Sequence, residues 1–367
     1  MLTRHLKYFD WPLFAVSILL SLVGLVMIYS TGLAGVLTES NLWVRQLAAL
    51  LIGIVGLFFF ATFDYHFLKK SGNWLYAIGM VLLLAVVLFG PEIRGSKRWF
   101  DLGLFNFQPA EISKFALLVI LAKYLQYKGA LTQKFRYVIW SFFYVLVPAA
   151  LIMLEPDLGS ASVHVAIWLG LLLVSPMPRR YFLYLLVMFL LVSSIAWQFF
   201  LVPYQQDRIR SFLDPTADPL GRGYNAIQSI VAIGSGGPWG RGLARGLQSQ
   251  LRFLPERQTD FIFASTVEEL GLVGGGLVIL LIIFLLWRIF KIAFASRDLF
   301  GTYLAAGIFF LFFTQVAVNI GMNLGLLPVT GITLPFLSYG GSSLVVTFWL
   351  VGILESVARH SVPVRFG

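Results

Sequence analysis

The chain has no cysteine, few histidines and little charge, and each shortage excludes a class of protein. Without cysteine there is no disulfide framework, no cysteine-ligated metal and no thiol redox chemistry. The four histidines include no pair at metal-ligand spacing, so we expect no histidine zinc site. Charged residues make up only 12% of the chain, against about 25% in soluble proteins, which argues against a water-soluble fold.

The residues that are abundant are apolar, and they form long runs. Hydrophobic residues are 59% of the chain and the mean hydropathy is +0.85. Since a membrane-spanning helix needs about 20 apolar residues, the pattern predicts an all-α polytopic membrane protein with about ten transmembrane helices. We expect one membrane domain over 1–367, with spans near 12–30, 45–63, 74–89, 112–126, 138–154, 161–175, 181–201, 261–287, 302–326 and 338–358. The first run lacks a small-residue cleavage site, which favours a retained span over a signal peptide.

The distribution of basic residues predicts the orientation of these spans. With the amino terminus inside, fifteen of the 27 Lys and Arg residues fall in cytoplasmic segments and five in short outer connections. Both termini are then cytoplasmic, and 202–260 is a large extracytoplasmic loop. The net charge of +10 is explained by this asymmetry and by anionic lipid, so no nucleic-acid partner is expected.

Polar residues inside the predicted spans are candidates for function, because lipid disfavours them. Glu111 and Lys114 are three residues apart and share one helix face, which allows them to pair. A structural neutral pair and a functional pair both remain open. Asn319 and Asn323 also share a face, and helix packing is the favoured interpretation for them. Since adjacent residues point about 100° apart, at most one of Glu268 and Glu269 readily faces a given cavity.

The long loop is rich in arginine and glycine. All seven of its basic residues are arginine, and a guanidinium group suits bidentate contact with phosphate oxygens. The run Gly234–Gly242 lacks the Gly-Lys-Ser/Thr ending of a nucleotide-binding P-loop, which excludes an ATPase of that type. An anion-binding turn and a simple tight turn remain open for this run.

The end of the loop carries the strongest candidate for catalysis. Asp260 is the last acid before the eighth predicted span, at a boundary where burial or the neighbouring Arg257 shifts the pKa of a carboxyl. Such a group can serve as a general base. It can also cap the helix that follows, and the two roles are compatible. Asp157 precedes another helix, where capping is the simpler interpretation.

Several motifs, in order along the chain, resemble those of the SEDS family (shape, elongation, division, sporulation). The resemblance covers nearly the whole chain, and the Gln248–Leu251 stretch is more similar to the RodA-like elongation branch than to the division branch. The motifs are Arg98–Gly103, Gln108–Lys114, Pro156–Gly159, Asp218–Gly221 with Tyr224 and Gln228-Ser229, Gly234–Gly242, Leu254–Phe263, Glu268–Gly271 and Ser338–Gly341.

This resemblance implies a peptidoglycan glycosyltransferase that polymerises lipid II at the outer face of the bacterial cytoplasmic membrane during cell elongation. It also implies a class B penicillin-binding protein as the partner that supplies the transpeptidase. The chain itself has no Ser-x-x-Lys with a matching Lys-Thr-Gly, so cross-linking by this chain is not expected.

The resemblance further implies roles for individual residues. Asp260 corresponds to the catalytic acid, and Arg208, with Arg98 or Lys97, is expected to stabilise the departing pyrophosphate. A single displacement with inversion needs no covalent intermediate. A divalent cation could bridge the pyrophosphate, although no feature of the sequence demands one. The other residues expected to bind substrate are Glu111, Lys114, Asp157, Gln228, Ser229, Glu256 and Glu268.

Two other classes of function are compatible with the composition. A lipid II flippase would also have many spans and intramembrane charges, but it needs a hydrated path across the whole bilayer. Here the Arg and Asp residues concentrate in the outer loop, which favours the enzyme. In a non-catalytic scaffold for a penicillin-binding protein, the motif around Asp260 would serve folding alone.

Overall fold

The computed structural model describes residues 9–33, 41–92, 96–101, 103, 106–199, 201, 203–219, 221 and 223–361, with backbone only at 196, 203–205, 208 and 209. Over these residues the regular secondary structure is helical, apart from a single two-stranded hairpin. The long helices are α1 (Trp11–Gly32), α2 (Leu42–Thr62), α3 (His66–Phe89), α4 (Pro109–Lys128), α5 (Phe135–Leu154), α6 (Leu158–Val174) and α7 (Arg180–Phe199). They are followed by α8 (Pro203–Leu213), α9 (Tyr224–Gly236), α10 (Leu247–Gln250), α11 (Ile262–Ala295), α12 (Leu299–Asn323) and α13 (Gly341–Ser361).

Each of the ten predicted spans corresponds to a helix in the structure. Eight of the described helices are long and apolar enough to cross a membrane. The other two are α4, whose apolar face is interrupted by Glu111, Lys114 and Lys123, and α6, which has only 17 residues. These are the two segments whose apolar runs were shortest in the sequence. The fold is therefore the expected all-α polytopic bundle.

The centre of the bundle is formed by α4, α12 and α13, whose side chains are mostly buried. Close approach between α13 and α2 depends on Gly352, where a Cβ atom would lie 2.3 Å from the Leu57 carbonyl oxygen. In contrast, α7 exposes nearly all of its apolar side chains, as expected for a helix that faces lipid. Buried polar groups of the central helices consequently lie inside protein and not against lipid.

The segment between α7 and α11 is more ordered than a simple loop, because it contains α8, α9 and α10. The hairpin β1–β2 (Phe100–Asp101 paired with Asn106–Phe107) precedes α4. It is held to the start of α13 by Ser342, whose hydroxyl donates to the Asn106 carbonyl at 2.7 Å. Parts distant in sequence therefore meet at one end of the bundle.

The helix α11 is broken at Gly271, where φ is +73°. The break frees carbonyls before it and amides after it, and the glycine-rich run supplies partners for both. The amides of Arg241 and Gly242 donate to the carbonyls of Glu268 and Glu269 at 3.0 and 2.9 Å. In return, the amides that follow Gly271 donate to carbonyls within the run, Leu272 to Gly237 at 2.9 Å and Val273 to Pro238 at 3.1 Å. The glycine-rich run thus completes the backbone hydrogen bonding of a broken membrane helix.

Candidate active site

A cavity of about 870 Å³ lies where the hairpin, the loop before α11 and the loop before α13 meet. It combines acids, bases, amides and hydroxyls, which is the composition expected of a site for a polar ligand rather than for lipid tails alone. Its charged lining residues are Arg98, Glu111, Lys114, Asp157, Glu256, Arg257 and Asp260. Six of these seven are in the set of site residues expected from the sequence. Arg257 lines the cavity but was not in that set.

Asp260 is presented by the turn that leads into α11, whose N-cap position is occupied by Phe261. The backbone carbonyl of Asp260 accepts hydrogen bonds from the side-chain amides of Asn319 and Asn323, at 3.0 and 2.9 Å. Its carboxylate lies beside Gly331, where a Cβ atom would be 3.5 Å from Oδ2. With φ of +78°, Gly331 adopts a left-handed conformation that favours glycine. Asp260 is thus fixed through its backbone while its side chain lines the cavity.

Glu111 and Lys114 form the buried ion pair that their spacing predicts, with Lys114 Nζ 2.8 Å from Glu111 Oε1. Both side chains are less than 10% exposed and both line the cavity. Next to them, the Ser113 hydroxyl lies 2.8 Å from His164 Nε2, which joins α4 to α6. The pair is neutral overall and is available to hydrogen-bond a polar ligand.

Arg98 is held at the turn between α5 and α6. Its Nε donates to the Glu155 carbonyl at 2.8 Å and its Nη2 to the Pro156 carbonyl at 2.5 Å, while Nη1 is 3.9 Å from Asp157 Oδ2. Asp157 also caps α6, accepting from the Ser160 amide at 3.0 Å. The guanidinium is therefore a fixed positive charge in the cavity wall, suited to an anionic ligand.

The loop before α13 forms another part of the cavity wall. The Tyr339 amide donates to the Gln258 carbonyl at 2.8 Å, and the Ser338 hydroxyl donates to the Thr259 carbonyl at 2.7 Å. From α2, the Gln46 side chain bonds the backbone of Ser338 and Gly340 at 3.0 and 3.1 Å. These bonds set the position of the chain immediately before Asp260.

Other expected site residues lie elsewhere. Glu268 is fully buried and accepts from the amides of Gln248 and Ser249 and from the Ser249 hydroxyl, so it holds α10 on the bundle. The Ser229 hydroxyl donates to the Asn323 carbonyl at 2.8 Å. The described cavity lining does not include Glu268, Ser229, Gln228 or Lys97. The side chain of Arg208 lies outside the described residues, although its backbone is in α8.

Some lining residues were not singled out in the sequence as candidates for substrate binding. Gln315 is buried on α12, and Thr330 and Thr333 belong to the loop that follows it. A single glutamine within an apolar run carries no spacing signal. The loop 324–340 could have been noticed for its glycines and threonines, but the approach of Gly331 to Asp260 depends on the folded chain.

Comparison with known proteins places this site in a family. The family model described as cell cycle protein, covering FtsW, RodA and SpoVE, matches residues 10–362. The chain belongs to this family. It is 39% identical to stage V sporulation protein E of Bacillus subtilis, over 96% of this chain and 97% of that protein. It is also 39% identical to the peptidoglycan glycosyltransferase MrdB of Escherichia coli, over 86% of this chain and 85% of that protein.

A solved structure supports the same conclusion at the level of fold. It is described as showing the structural coordination of polymerization and crosslinking by a peptidoglycan synthase complex. The match has a TM-score of 0.80 and 34% identity, and it covers 96% of this chain and 98% of that one. The protein is therefore a multi-pass membrane protein of the FtsW, RodA and SpoVE family.

Proposed function

We propose that the protein is a peptidoglycan glycosyltransferase that polymerises lipid II during cell elongation. A curated relative that shares 39% identity with the chain carries the name peptidoglycan glycosyltransferase. The observation that carries the proposal is the cavity that places Asp260 with Arg98 and the Glu111–Lys114 pair. A base and fixed cations in one polar cavity at the end of a membrane bundle suit a lipid-linked sugar pyrophosphate. The elongation role is supported by the Gln248–Leu251 stretch.

Asp260 is the proposed general base. An alcohol is a weak nucleophile, so the carboxylate accepts the proton of the acceptor sugar's 4-hydroxyl as its oxygen attacks the anomeric carbon of the donor. A bond forms between that oxygen and the anomeric carbon while the bond from the anomeric carbon to the pyrophosphate oxygen breaks. The anomeric configuration inverts in this single step.

The leaving group is undecaprenyl pyrophosphate, which departs as an anion. Arg98, held in the cavity wall by backbone carbonyls, is a described guanidinium placed to stabilise that charge. Arg208 is proposed as a second cation that stabilises the pyrophosphate. Lys97, which is exposed beside Arg98, is proposed as a third. The Glu111–Lys114 pair offers an ammonium and a carboxylate for sugar hydroxyls or amides.

A divalent cation at the pyrophosphate also remains a proposal. The described part of the chain contains no group of three or more His, Asp or Glu side chains able to hold a metal. Most ligands of such a cation would therefore come from the pyrophosphate and from water, which is the mode of binding that magnesium prefers.

The proposed setting is the bacterial cytoplasmic membrane, with both termini inside and 202–260 outside. The excess of basic residues on the cytoplasmic side supports this orientation. A class B penicillin-binding protein is the proposed partner, in line with the synthase complex to which the fold is similar. The other proposed binding partners are lipid II and membrane lipids, and no nucleic acid is proposed as a partner.

The test is reconstitution with lipid II confined to one leaflet, together with the partner, measuring glycan polymer and lipid translocation separately. Polymer made from outer-leaflet lipid II, without translocation, is the expected result. Translocation without polymer would favour the flippase instead. If polymer forms only when the partner carries its own glycosyltransferase, the chain is a scaffold and the proposal fails.

A further inference from the structure

Asn323 is inserted between the two groups whose hydrogen bond would otherwise extend α11 by one residue at its start. In an α-helix the carbonyl of residue i accepts from the amide of residue i+4, and here the corresponding pair is Asp260 and Ala264. The two groups do not meet. The Ala264 amide donates to Asn323 Oδ1 at 3.0 Å, and Asn323 Nδ2 donates to the Asp260 carbonyl at 2.9 Å. The first ordinary bond of the helix joins Ser265 to Phe261 at 3.1 Å.

Asn319, one turn earlier on α12, joins the same carbonyl to the loop that contains Gly331 and Ile332. Its Nδ2 donates to Asp260 O at 3.0 Å and to Ile332 O at 2.7 Å. Ile332 follows Gly331, the residue beside which the Asp260 carboxylate lies. One amide group therefore sets the distance between the backbone of Asp260 and the chain against which its side chain rests.

The two asparagines are themselves fixed. Both are fully buried, and Asn323 Nδ2 donates to the Asn319 carbonyl at 2.8 Å. From α9, the Ser229 hydroxyl donates to the Asn323 carbonyl at 2.8 Å. Burial raises the cost of breaking such a network, because a separated amide finds no water to replace its partner. Helix packing alone would not require both amides to converge on one carbonyl of the neighbouring loop.

We propose that Asn319 and Asn323 are positioning residues for glycosyl transfer, which keep Asp260 outside α11 so that its carboxylate faces the cavity. The inference rests on the proposed function of Asp260. If Ala264 bonded Asp260 directly, the helix would gain a residue at its start, and the backbone of Asp260 would turn toward helical geometry. A shift of about 1 Å in a reacting group can lower a rate by about 100-fold.

The test is the steady-state kinetics of lipid II polymerisation by Asn323→Ala and Asn319→Ala in the full-length protein with its partner. We expect kcat to fall about 10- to 100-fold in Asn323→Ala, with KM for lipid II close to that of the wild type because the cavity lining is unchanged. The fall in kcat should be smaller for Asn319→Ala, since the amide of Asn323 stays inserted between Asp260 and Ala264. The matched control is Ser141→Ala, which removes a buried hydroxyl that accepts from Trp168 Nε1 at 2.8 Å, and neither of these residues lines the cavity.

Asp260→Asn, measured in parallel, separates failure of this inference from failure of the proposed function. Wild-type turnover by Asp260→Asn would contradict the assignment of Asp260 as general base. The positioning role of the two asparagines would then fail as well. If Asp260→Asn is inactive but both asparagine variants turn over like Ser141→Ala, the positioning role alone is overturned. Adding Asn323→Ala to Asp260→Asn should cost no further turnover. A full additional loss would show that Asn323 acts on stability and not through Asp260.

Discussion

Glu155 is the most unusual carboxyl group near the site. It lies at the turn between α5 and α6, is 1% exposed, and neither side-chain oxygen has a hydrogen-bond partner among the residues that the structure describes. Burial, reinforced by the neighbouring Asp157 and opposed by Arg98, raises the pKa of Glu155 to about 8. At neutral pH the group is therefore mostly protonated in the folded protein.

This raised pKa makes stability depend on pH. Below the ordinary carboxyl pKa, near 4.5, Glu155 is protonated in both the folded and the unfolded states. Between there and about pH 8 only the unfolded state releases the proton, so the free energy of unfolding falls as pH rises and then levels off. Glu155→Gln should remove this contribution and raise the unfolding temperature at pH 8 much more than at pH 5. Parallel pH curves for the variant and the wild type, in the same detergent, would contradict the assignment.

The Glu111–Lys114 pair allows its structural and functional roles to be separated. Lys114→Met leaves a buried carboxylate without its cation, which should cost about 3–5 kcal/mol of stability. Adding Glu111→Gln should restore most of that stability, because no uncompensated charge remains. We expect polymerisation to stay low in the double variant, since both groups line the cavity. Full recovery of activity along with stability would assign the pair to structure alone.

At the scale of elements, the break in α11 determines where the short helical piece after Asp260 ends. A Cβ atom on Gly271 would lie 2.3 Å from the Gly240 amide nitrogen and 2.4 Å from the Pro238 carbonyl oxygen. Its positive φ adds strain for any other residue. The two halves of α11 therefore require glycine at this position.

Gly271→Ala should lower the unfolding temperature and reduce polymerisation, because the piece that begins beside Asp260 loses its fixed end. Gly276→Ala is the matched control on the same helix, since a Cβ atom there would meet nothing within 4 Å. Alanine is the better helix former by about 1 kcal/mol, so this control should unfold at or above the wild-type temperature. Equal effects of the two substitutions would contradict the account of the break.

The contrast between these elements shows what sequence could predict. Eight of the ten span helices follow from apolar runs of membrane length, which is a local property. The break at Gly271 follows two glutamates, Glu268 and Glu269, but no proline or turn motif in the sequence marks a break at that residue. Its reason lies in hydrogen bonds to the run 234–242, some thirty residues earlier. Likewise, the helices within 202–260 lack the long apolar runs used to predict spans, because they are short.

At the scale of the whole molecule, the site joins residues that lie far apart in the chain. The Glu111–Lys114 pair could be predicted because both members share one helix face. The approach of Asp260 to Gly331, and the contact of its carbonyl with Asn319, involve separations of about sixty to seventy residues and no periodic signal. Family motifs predicted a set of site residues. Packing of α4, α6, α11, α12 and α13 determines which of them share the cavity.

The central claim is that Asp260 acts as the base in this cavity, and single-turnover polymerisation tests it most directly. Purified Asp260→Asn, with its partner, should bind lipid II with nearly the wild-type affinity, while the rate of polymer formation falls at least about 100-fold. Asp214→Asn is the control, since that acid is exposed and accepts hydrogen bonds from Thr216, outside the cavity lining. A wild-type rate and polymer length from Asp260→Asn would contradict the account.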